Sequence, residues 1–167
     1  MAGTGIAGCS VEDYAREEGA LYDAGLAAER VAAAGEAARG NGSRLVLTAR
    51  AEGLLYGGRL GEVISRLQAF QEAGADVLFA PGVRTVADIR AVVSSVDRPV
   101  NVLALPGSPP VTQLAELGVA RVSVGGSFTW AAYAAVVAAA TELRDNGTYG
   151  YAEGAAPARP TLSAALR

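Results

Sequence analysis

Charged side chains follow two short apolar runs of this sequence, and their types and spacing are suited to chemistry. Arg50 and Glu52 end the stretch "RLVLTARAE" at 44–52, and Glu12 and Asp13 end "GIAGCSVED". A guanidinium group can bind a carboxylate or phosphonate through two parallel hydrogen bonds, and a carboxylate can orient a metal-bound water. Residues 50 and 52 face the same side of an extended strand. The pattern predicts an anion-binding site at these positions.

Each of these pairs has a plainer alternative. Glu12 and Asp13 could form a solvated turn, and Arg50 could form a structural ion pair with Glu12 or with Glu52. The sequence pattern leaves both alternatives open.

Two other segments could contact a ligand. Asn101 lies inside the apolar run "PVNVLA" and needs hydrogen-bond partners if it is buried, so it either binds a substrate oxygen or braces the loop at 105–110. The "GGS" turn at 125–127 opens a helical segment and could bind an anion through backbone N–H groups. It lacks a Walker lysine and a complete dinucleotide fingerprint, so a nucleotide site is not expected.

Composition excludes several classes of function. The 167 residues suit one domain, 51% of them are hydrophobic, and the net charge of −3 provides no basic field to attract nucleic acid. The sequence has no histidine, which excludes a Ser-His-Asp triad and any histidine-bound metal, so that a metal would need oxygen ligands. The single cysteine, Cys9, excludes a disulfide framework and is expected to be a small buried residue.

No membrane or secretion segment is expected. The N-terminus lacks a basic segment followed by an apolar one, and "WAAYAAVVAAATELR" is too short and too interrupted to span a bilayer. A cytoplasmic protein is therefore predicted.

Short apolar runs alternate five times with segments of helical spacing, which predicts an α/β fold with a parallel sheet and helices packed outside it. The predicted strands cover 5–11, 44–49, 76–80, 99–104 and 120–124. The predicted helices cover 24–39, 59–73, 85–95, 111–117 and 127–145. "GNG" and "AGAD" end the first two helices, and Thr85 and Ser127 are expected to cap the third and the last. In such folds ligands bind beyond the carboxyl ends of the strands, where the charged residues lie.

One domain is predicted over 1–167. Within it, the stretch 145–167, rich in Gly, Ala and Pro, is expected to leave the main body as a tail with a short helix near 161–166.

Five stretches, taken in order, resemble the isocitrate lyase/phosphoenolpyruvate mutase superfamily. They are "GTGIAGCSVED" at 3–13, "LVLTARAEG" at 45–53, "RLQAFQEAGADVLFAPG" at 66–82, "PVNVLALPGSP" at 99–109 and "LAELGVARVSVGGSFTWAAY" at 114–133. "NGTYG" at 146–150 resembles the end of the short bacterial mutase-like members. The resemblance implies a Mg²⁺-dependent (β/α)₈ TIM barrel acting on 2-oxo acids or their enolates. The implied reaction is C–C cleavage, as in 2-methylisocitrate lyase, or a phosphonomutase-type rearrangement.

The resemblance also assigns roles by position. Arg50 matches the arginine that binds the substrate carboxylate, and Glu12 matches a glutamate that contacts the metal through water. These two are the predicted catalytic residues, and Asn101 matches a polar residue of the seventh strand that binds substrate. The family usually has Thr and then Asp after the arginine. Here Ala51 and Glu52 stand in those places, a departure that bears on the choice of substrate. Because Glu52 shares a face with Arg50, it could fix Arg50 or contact the substrate, and it is included among the predicted substrate-binding residues.

Length sets the last expectation. A complete barrel needs about 250 residues, whereas five βα units account for this chain. The resemblance starts near the family's fourth strand, so a partial barrel of about five parallel strands is predicted, with the metal-binding aspartates upstream of it. Open sheet edges favour a fragment, pairing with another chain, or a homo-oligomer formed through those edges. The alternative to a Mg²⁺-dependent enzyme is a non-catalytic half-barrel or an anion-binding structural module.

Overall fold

A computed structural model describes residues 5–40 and 45–165 of the chain. Its strands are β1 (Gly8–Glu12), β2 (Tyr14–Ala15), β3 (Ala20–Leu21), β4 (Val46–Arg50), β5 (Val77–Phe79), β6 (Val100–Leu103) and β7 (Arg121–Ser123). Its helices are α1 (Ala24–Arg39), α2 (Leu60–Glu72), α3 (Val86–Ser94), α4 (Val111–Glu116), α5 (Ser127–Asn146), α6 (Gly150–Ala155) and α7 (Arg159–Ala165). Two 3₁₀ turns cover Gly53–Tyr56 and Ala156–Ala158.

Five of the strands form one parallel sheet in the order β1-β4-β5-β6-β7. Each strand pairs with the next sheet strand along the chain, as in a barrel. The predicted fold class, α/β with about five parallel strands of a TIM-barrel type, is confirmed. The sequence did not predict the small antiparallel pair of β2 and β3, where Tyr14 stacks on Tyr56 with 3.9 Å between ring centroids.

The two faces of the sheet differ in chemistry because successive side chains along a strand alternate between them. One face is apolar and packs against the helices. The sheet contributes Leu47, Ala49, Leu78, Val100 and Val102 to this core, and α1–α4 contribute Val31, Val63, Leu67, Phe70, Ile89, Val92 and Leu114. The opposite face carries Ser10, Glu12, Thr48, Arg50, Asn101, Arg121 and Ser123. Packing on the first face thus leaves the polar residues together on the second.

Most predicted boundaries lie within three residues of the observed ones. The predicted strand start at 44, the rest of the "GNG" stop after Gly40 and the predicted helix end at 166 lie outside the described residues. Thr85 caps α3 as predicted, since its Oγ1 accepts a hydrogen bond from the Asp88 N–H at 3.1 Å. The prediction for Ser127 is wrong. The helix already includes this residue, Gly126 occupies the cap position, and no side chain accepts a hydrogen bond there.

The chain divides into two compact units, Met1–Val124 and Gly125–Arg167. The first contains the sheet with α1–α4, and the second contains α5–α7. The single domain over 1–167 stays a prediction. None of the helices in the described ranges combines the length and the apolar character needed to cross a bilayer.

The second unit is more helical than the predicted tail, because α6 precedes the terminal helix. The Glu142 carboxylate on α5 accepts hydrogen bonds from the Thr148 hydroxyl at 2.7 Å and from the N–H groups of Gly150 and Tyr151 at 2.6 and 3.1 Å. These contacts satisfy N–H groups at the start of α6 that have no partner within the helix.

Candidate functional site

One row of residues crosses all five parallel strands. The strand register aligns Glu12 with Arg50, Arg50 with Phe79, Phe79 with Asn101, and Asn101 with Arg121. Residues aligned in this way face the same side of a parallel sheet. The row therefore brings three of the predicted site residues, Glu12, Arg50 and Asn101, onto the polar face.

A cavity of about 530 Å³ lies on this face. Its polar lining comes from Ser10, Thr48, Arg50, Asn101, Arg121 and Ser123, and Phe79 and Cys9 contribute to the rest. This volume is in the range of small-molecule sites. Glu12 lines a neighbouring cavity of about 550 Å³, beside the β2–β3 pair.

Arg50 forms both of the ion pairs that the sequence left as alternatives. Its Nη1 lies 2.8 Å from Oε1 of Glu12, and its Nε lies 2.7 Å from Oε1 of Glu52. The guanidinium carbon lies 5.1 Å from the centre of the Phe79 ring. Among the described residues, Nη2 of Arg50 has no hydrogen-bond partner. The guanidinium is thus held in a fixed orientation with one nitrogen left for a ligand at the cavity.

Glu52 lies in the loop after β4 and is 3% exposed. Burial raises the pKa of its carboxyl group, the charge of Arg50 opposes this shift, and the charges of Glu12 and Asp13 add to it. The predicted pairing of Glu52 with Arg50 on one side of the chain is present. Its carboxylate is committed to positioning Arg50, and it does not line the cavity.

The sequence missed a buried ion pair behind the site. Asp13 is 2% exposed, which rules out a solvated turn at this position. Its Oδ2 lies 3.3 Å from Nη1 of Arg66 on α2, and its Oδ1 accepts a hydrogen bond from the Glu52 N–H. Burial raises the pKa of this carboxyl group, while the hydrogen bond from Glu52 and the charge of Arg66 lower it. Arg66 also donates to the Tyr22 carbonyl at 2.9 Å.

Asn101 is 2% exposed and both ends of its amide have partners. Its Nδ2 donates to the Ser123 hydroxyl at 2.9 Å, and its Oδ1 accepts from Nε of Arg121 at 2.9 Å. Nη2 of Arg121 donates to Oγ1 of Thr48 at 2.9 Å. Arg121 was not among the residues predicted from the sequence, although the alternation in "ARVSV" places it on the same face as Ser123.

The described side chains do not by themselves form a metal ligand set. Within residues 5–40 and 45–165, no group of three or more Asp, Glu or Cys side chains is arranged to hold a metal ion. Arg50 engages Oε1 of Glu12, and Nη2 of Arg16 lies 3.2 Å from Oε2 of the same residue. Direct coordination by Glu12 would have to displace an arginine, so this carboxylate does not fit as a direct metal ligand in its present contacts.

Comparison with known proteins identifies a family. Residues 1–144 match the model of the phosphoenolpyruvate phosphomutase family. A crystal structure from Burkholderia cenocepacia J2315, of a protein described as a lyase/mutase, is 44% identical with a TM-score of 0.83 and covers 89% of this chain and 55% of that chain. Oxaloacetate acetylhydrolase in complex with its product oxalate is 28% identical with a TM-score of 0.81, covering 93% and 56%. Phosphonopyruvate hydrolase in complex with oxalate and Mg²⁺ is 29% identical with a TM-score of 0.72, covering 86% and 52%.

The chain spans about half the length of the curated relatives that it matches. Two uncharacterized proteins of Mycobacterium tuberculosis, from strains CDC 1551 / Oshkosh and ATCC 25618 / H37Rv, are each 32% identical over 136 residues. The match covers 80% of this chain and 50% of each relative.

Proposed function

The chain belongs to the phosphoenolpyruvate phosphomutase family, and on this premise we propose that its polar sheet face binds the carboxylate and enolate oxygens of a 2-oxo acid. The reaction proposed for the whole protein is C–C cleavage, as in 2-methylisocitrate lyase, or a phosphonomutase-type rearrangement. The superfamily predicted from the five ordered stretches is confirmed, and its members among the structural neighbours include lyase and hydrolase structures, two of them in complex with oxalate. The substrate and the type of reaction remain proposals.

The observation that carries this proposal is the way Arg50 is held beside the cavity. Two carboxylates bind Nη1 and Nε at 2.8 and 2.7 Å, and the Phe79 ring supports the guanidinium plane. A guanidinium fixed in this way loses little rotamer entropy on binding a ligand. It can stabilise the negative charge that develops on an enolate oxygen without reorganising during the reaction.

The other residues of this face have supporting roles in the proposal. Asn101 is fixed by Ser123 and Arg121, so its amide keeps one orientation beside the ligand. Phe79 covers one side of the Arg50 guanidinium. Glu52 and Glu12 keep Arg50 in place.

The proposed dependence of ligand binding on Mg²⁺ remains to be measured. When bound, Mg²⁺ would act as a Lewis acid toward the enolate oxygen. One neighbour contains Mg²⁺ with oxalate, and Glu12 is the residue of this chain proposed to contact such a metal through water. A homo-oligomer, association through the sheet edges at β1 and β7, and a cytoplasmic location also stay predictions.

A second candidate is an anion-binding module without catalysis. It is favoured by the ion pairs around Arg50, which engage both Glu12 and Glu52. Such a module would bind oxalate equally well with and without Mg²⁺ and would convert no 2-oxo acid.

Calorimetric titration of oxalate, with and without Mg²⁺, separates these candidates. Oxalate is a planar mimic of a pyruvate enolate. Binding that requires Mg²⁺ supports the enzyme, and the search for a substrate would then follow release of a 2-oxo acid. Binding independent of Mg²⁺ supports the module. If oxalate does not bind under either condition, the anion site at Arg50 is wrong.

A further inference from the structure

We propose that Arg121 forms a second anion-binding subsite in the cavity that Arg50 borders, so that the site selects ligands with two negative groups. One group would bind at Arg50 and the other at Arg121. The inference rests on the proposed function for the Arg50 end alone, and the Arg121 end stands on its own contacts.

The reach of the Arg121 side chain places its guanidinium close to Arg50. Arg121 begins β7, three strands away from β4 in the sheet. Even so, its Nη2 donates to the hydroxyl of Thr48, which lies on β4. The side chain therefore reaches past Asn101 on β6 to Thr48 on β4. Thr48 and Arg50 face the same side of β4 two residues apart, a spacing of about 7 Å along a strand.

The charges of the two arginines are balanced differently. Arg50 contacts two carboxylates, whereas the partners of Arg121 are the neutral oxygens of Asn101 and Thr48. Within the described ranges, no ion pair includes Arg121. A cation that faces a cavity with only neutral partners attracts an anion, and its bond to a carboxylate would be charge-assisted. Nη1 of Arg121 has no hydrogen-bond partner among the described residues and is available for this contact.

Buried groups hold Arg121 in position. Thr48 and Asn101 are 4% and 2% exposed, and Ser123 fixes the Asn101 amide from its other side. The guanidinium is therefore anchored at Nε and Nη2 while it borders the cavity. An arginine with only a structural role would form the same hydrogen bonds with Thr48 and Asn101. The experiment must therefore measure how binding depends on the charge of the ligand.

The experiment compares linear dicarboxylates with their half-amides by calorimetry. Malonate, succinate and glutarate cover a range of separations between their two carboxylates, and each half-amide keeps the shape while losing one charge. For the wild-type chain we expect at least one dicarboxylate to bind about tenfold or more tightly than its half-amide, as a charge-assisted hydrogen bond predicts. In Arg121→Gln this ratio should fall to within about twofold, with oxalate affinity retained because so short a ligand needs only Arg50.

The matched control is Arg90→Gln, which removes the same charge from an exposed position of α3 and should leave the ratio unchanged. If Arg121→Gln does not fold, as judged by its thermal melt, Arg121→Met, which removes the charge and keeps an unbranched side chain, takes its place and should lower the ratio in the same way.

Each outcome decides between the two claims. A ratio that survives in the Arg121 variants, or a wild-type ratio near one, overturns the subsite; if oxalate still binds, the proposed function stands. Loss of oxalate binding alone, with a ratio that depends on Arg121, overturns the role of Arg50 and keeps the subsite. If neither oxalate nor any of the longer dicarboxylates binds, both are wrong.

Discussion

Asp13 accepts a hydrogen bond from the backbone N–H of Glu52 at 2.8 Å, across 39 residues of sequence. The bond joins the segments that follow β1 and β4, and both residues are buried. Glu12 and Arg50 extend from the last positions of these two strands, so the bond fixes the base from which their ion pair is built. The Asp13 carboxylate therefore acts on the site through the backbone.

Arg50→Lys tests the anion site directly. A lysine cannot reproduce the fork that contacts Glu12, Glu52 and a ligand together. We expect oxalate affinity to fall by about tenfold or more, with a thermal melting temperature within a few degrees of the wild type. Arg59→Lys, at the exposed pair with Glu62, is the control and should leave oxalate affinity unchanged. Equal affinity in the two variants would remove Arg50 from the site.

Arg66→Gln should destabilise the fold. The substitution leaves the Asp13 carboxylate buried with no cation beside it, and breaking one side of a buried ion pair costs about 3 kcal/mol. Adding Asp13→Asn removes the stranded charge and keeps an acceptor for the Glu52 N–H, so the double variant should recover part of the loss. Urea unfolding measures both. Arg59→Gln, which breaks an exposed pair, should cost far less stability. An Arg66 variant no less stable than that control contradicts the role given to the buried pair.

Glu52→Gln should change how stability depends on pH. Burial raises the pKa of Glu52, so the folded wild type binds its proton more tightly than the unfolded chain, whose ordinary value is 4.5. As pH rises from that value through the raised folded pKa, ionisation costs the wild type stability that the variant keeps. The free energy of unfolding of the variant minus that of the wild type should therefore increase with pH across this window.

Glu62→Gln provides a control of opposite sign. The hydrogen bond from the Arg59 side chain lowers the pKa of Glu62. The wild type should therefore gain stability relative to this variant as pH rises from the folded pKa to the ordinary value. For Glu62→Gln, the free energy of unfolding of the variant minus that of the wild type should therefore decrease with pH. If this difference also decreases with pH for Glu52→Gln, the charge of Arg50 outweighs burial at Glu52.

The carboxyl ends of parallel strands meet at one edge of a sheet, which is why the sequence could place Glu12 and Arg50 together. The alternation of side chains along a strand predicted that Arg50 and Glu52 face the same side, and the five ordered stretches predicted the family. Arg121 was missed because it lies at the first position of β7 and not at its carboxyl end. Only the stagger of β7 against β6, which aligns Arg121 with Asn101, brings it to the site.

Two other contacts left no local signal. The Asp13–Arg66 pair joins residues 53 positions apart through the packing of α2, which no spacing encodes. The start of α6 depends on Glu142, and "NGTYG" carries no cap residue of its own at that position. Sequence patterns therefore could not predict the contacts in which a side chain pairs with a buried charge, or with a backbone N–H group, of another element of the fold.

Glu142→Ala should loosen the start of α6. The carboxylate accepts bonds from the Thr148 hydroxyl and from the N–H groups of Gly150 and Tyr151, and the hydrogen bond from Thr148 is the largest cause of its lowered pKa. Without it these N–H groups have no side-chain acceptor, so we expect faster amide hydrogen exchange at Gly150 and Tyr151. Acidification below the pKa of Glu142 should speed opening of the same amides in the wild type, after correction for intrinsic exchange, and should have no such effect in the variant. Glu153→Gln, within α6, is the control and should leave both amides as protected as in the wild type. Unchanged protection in Glu142→Ala would mean that α6 forms without this contact.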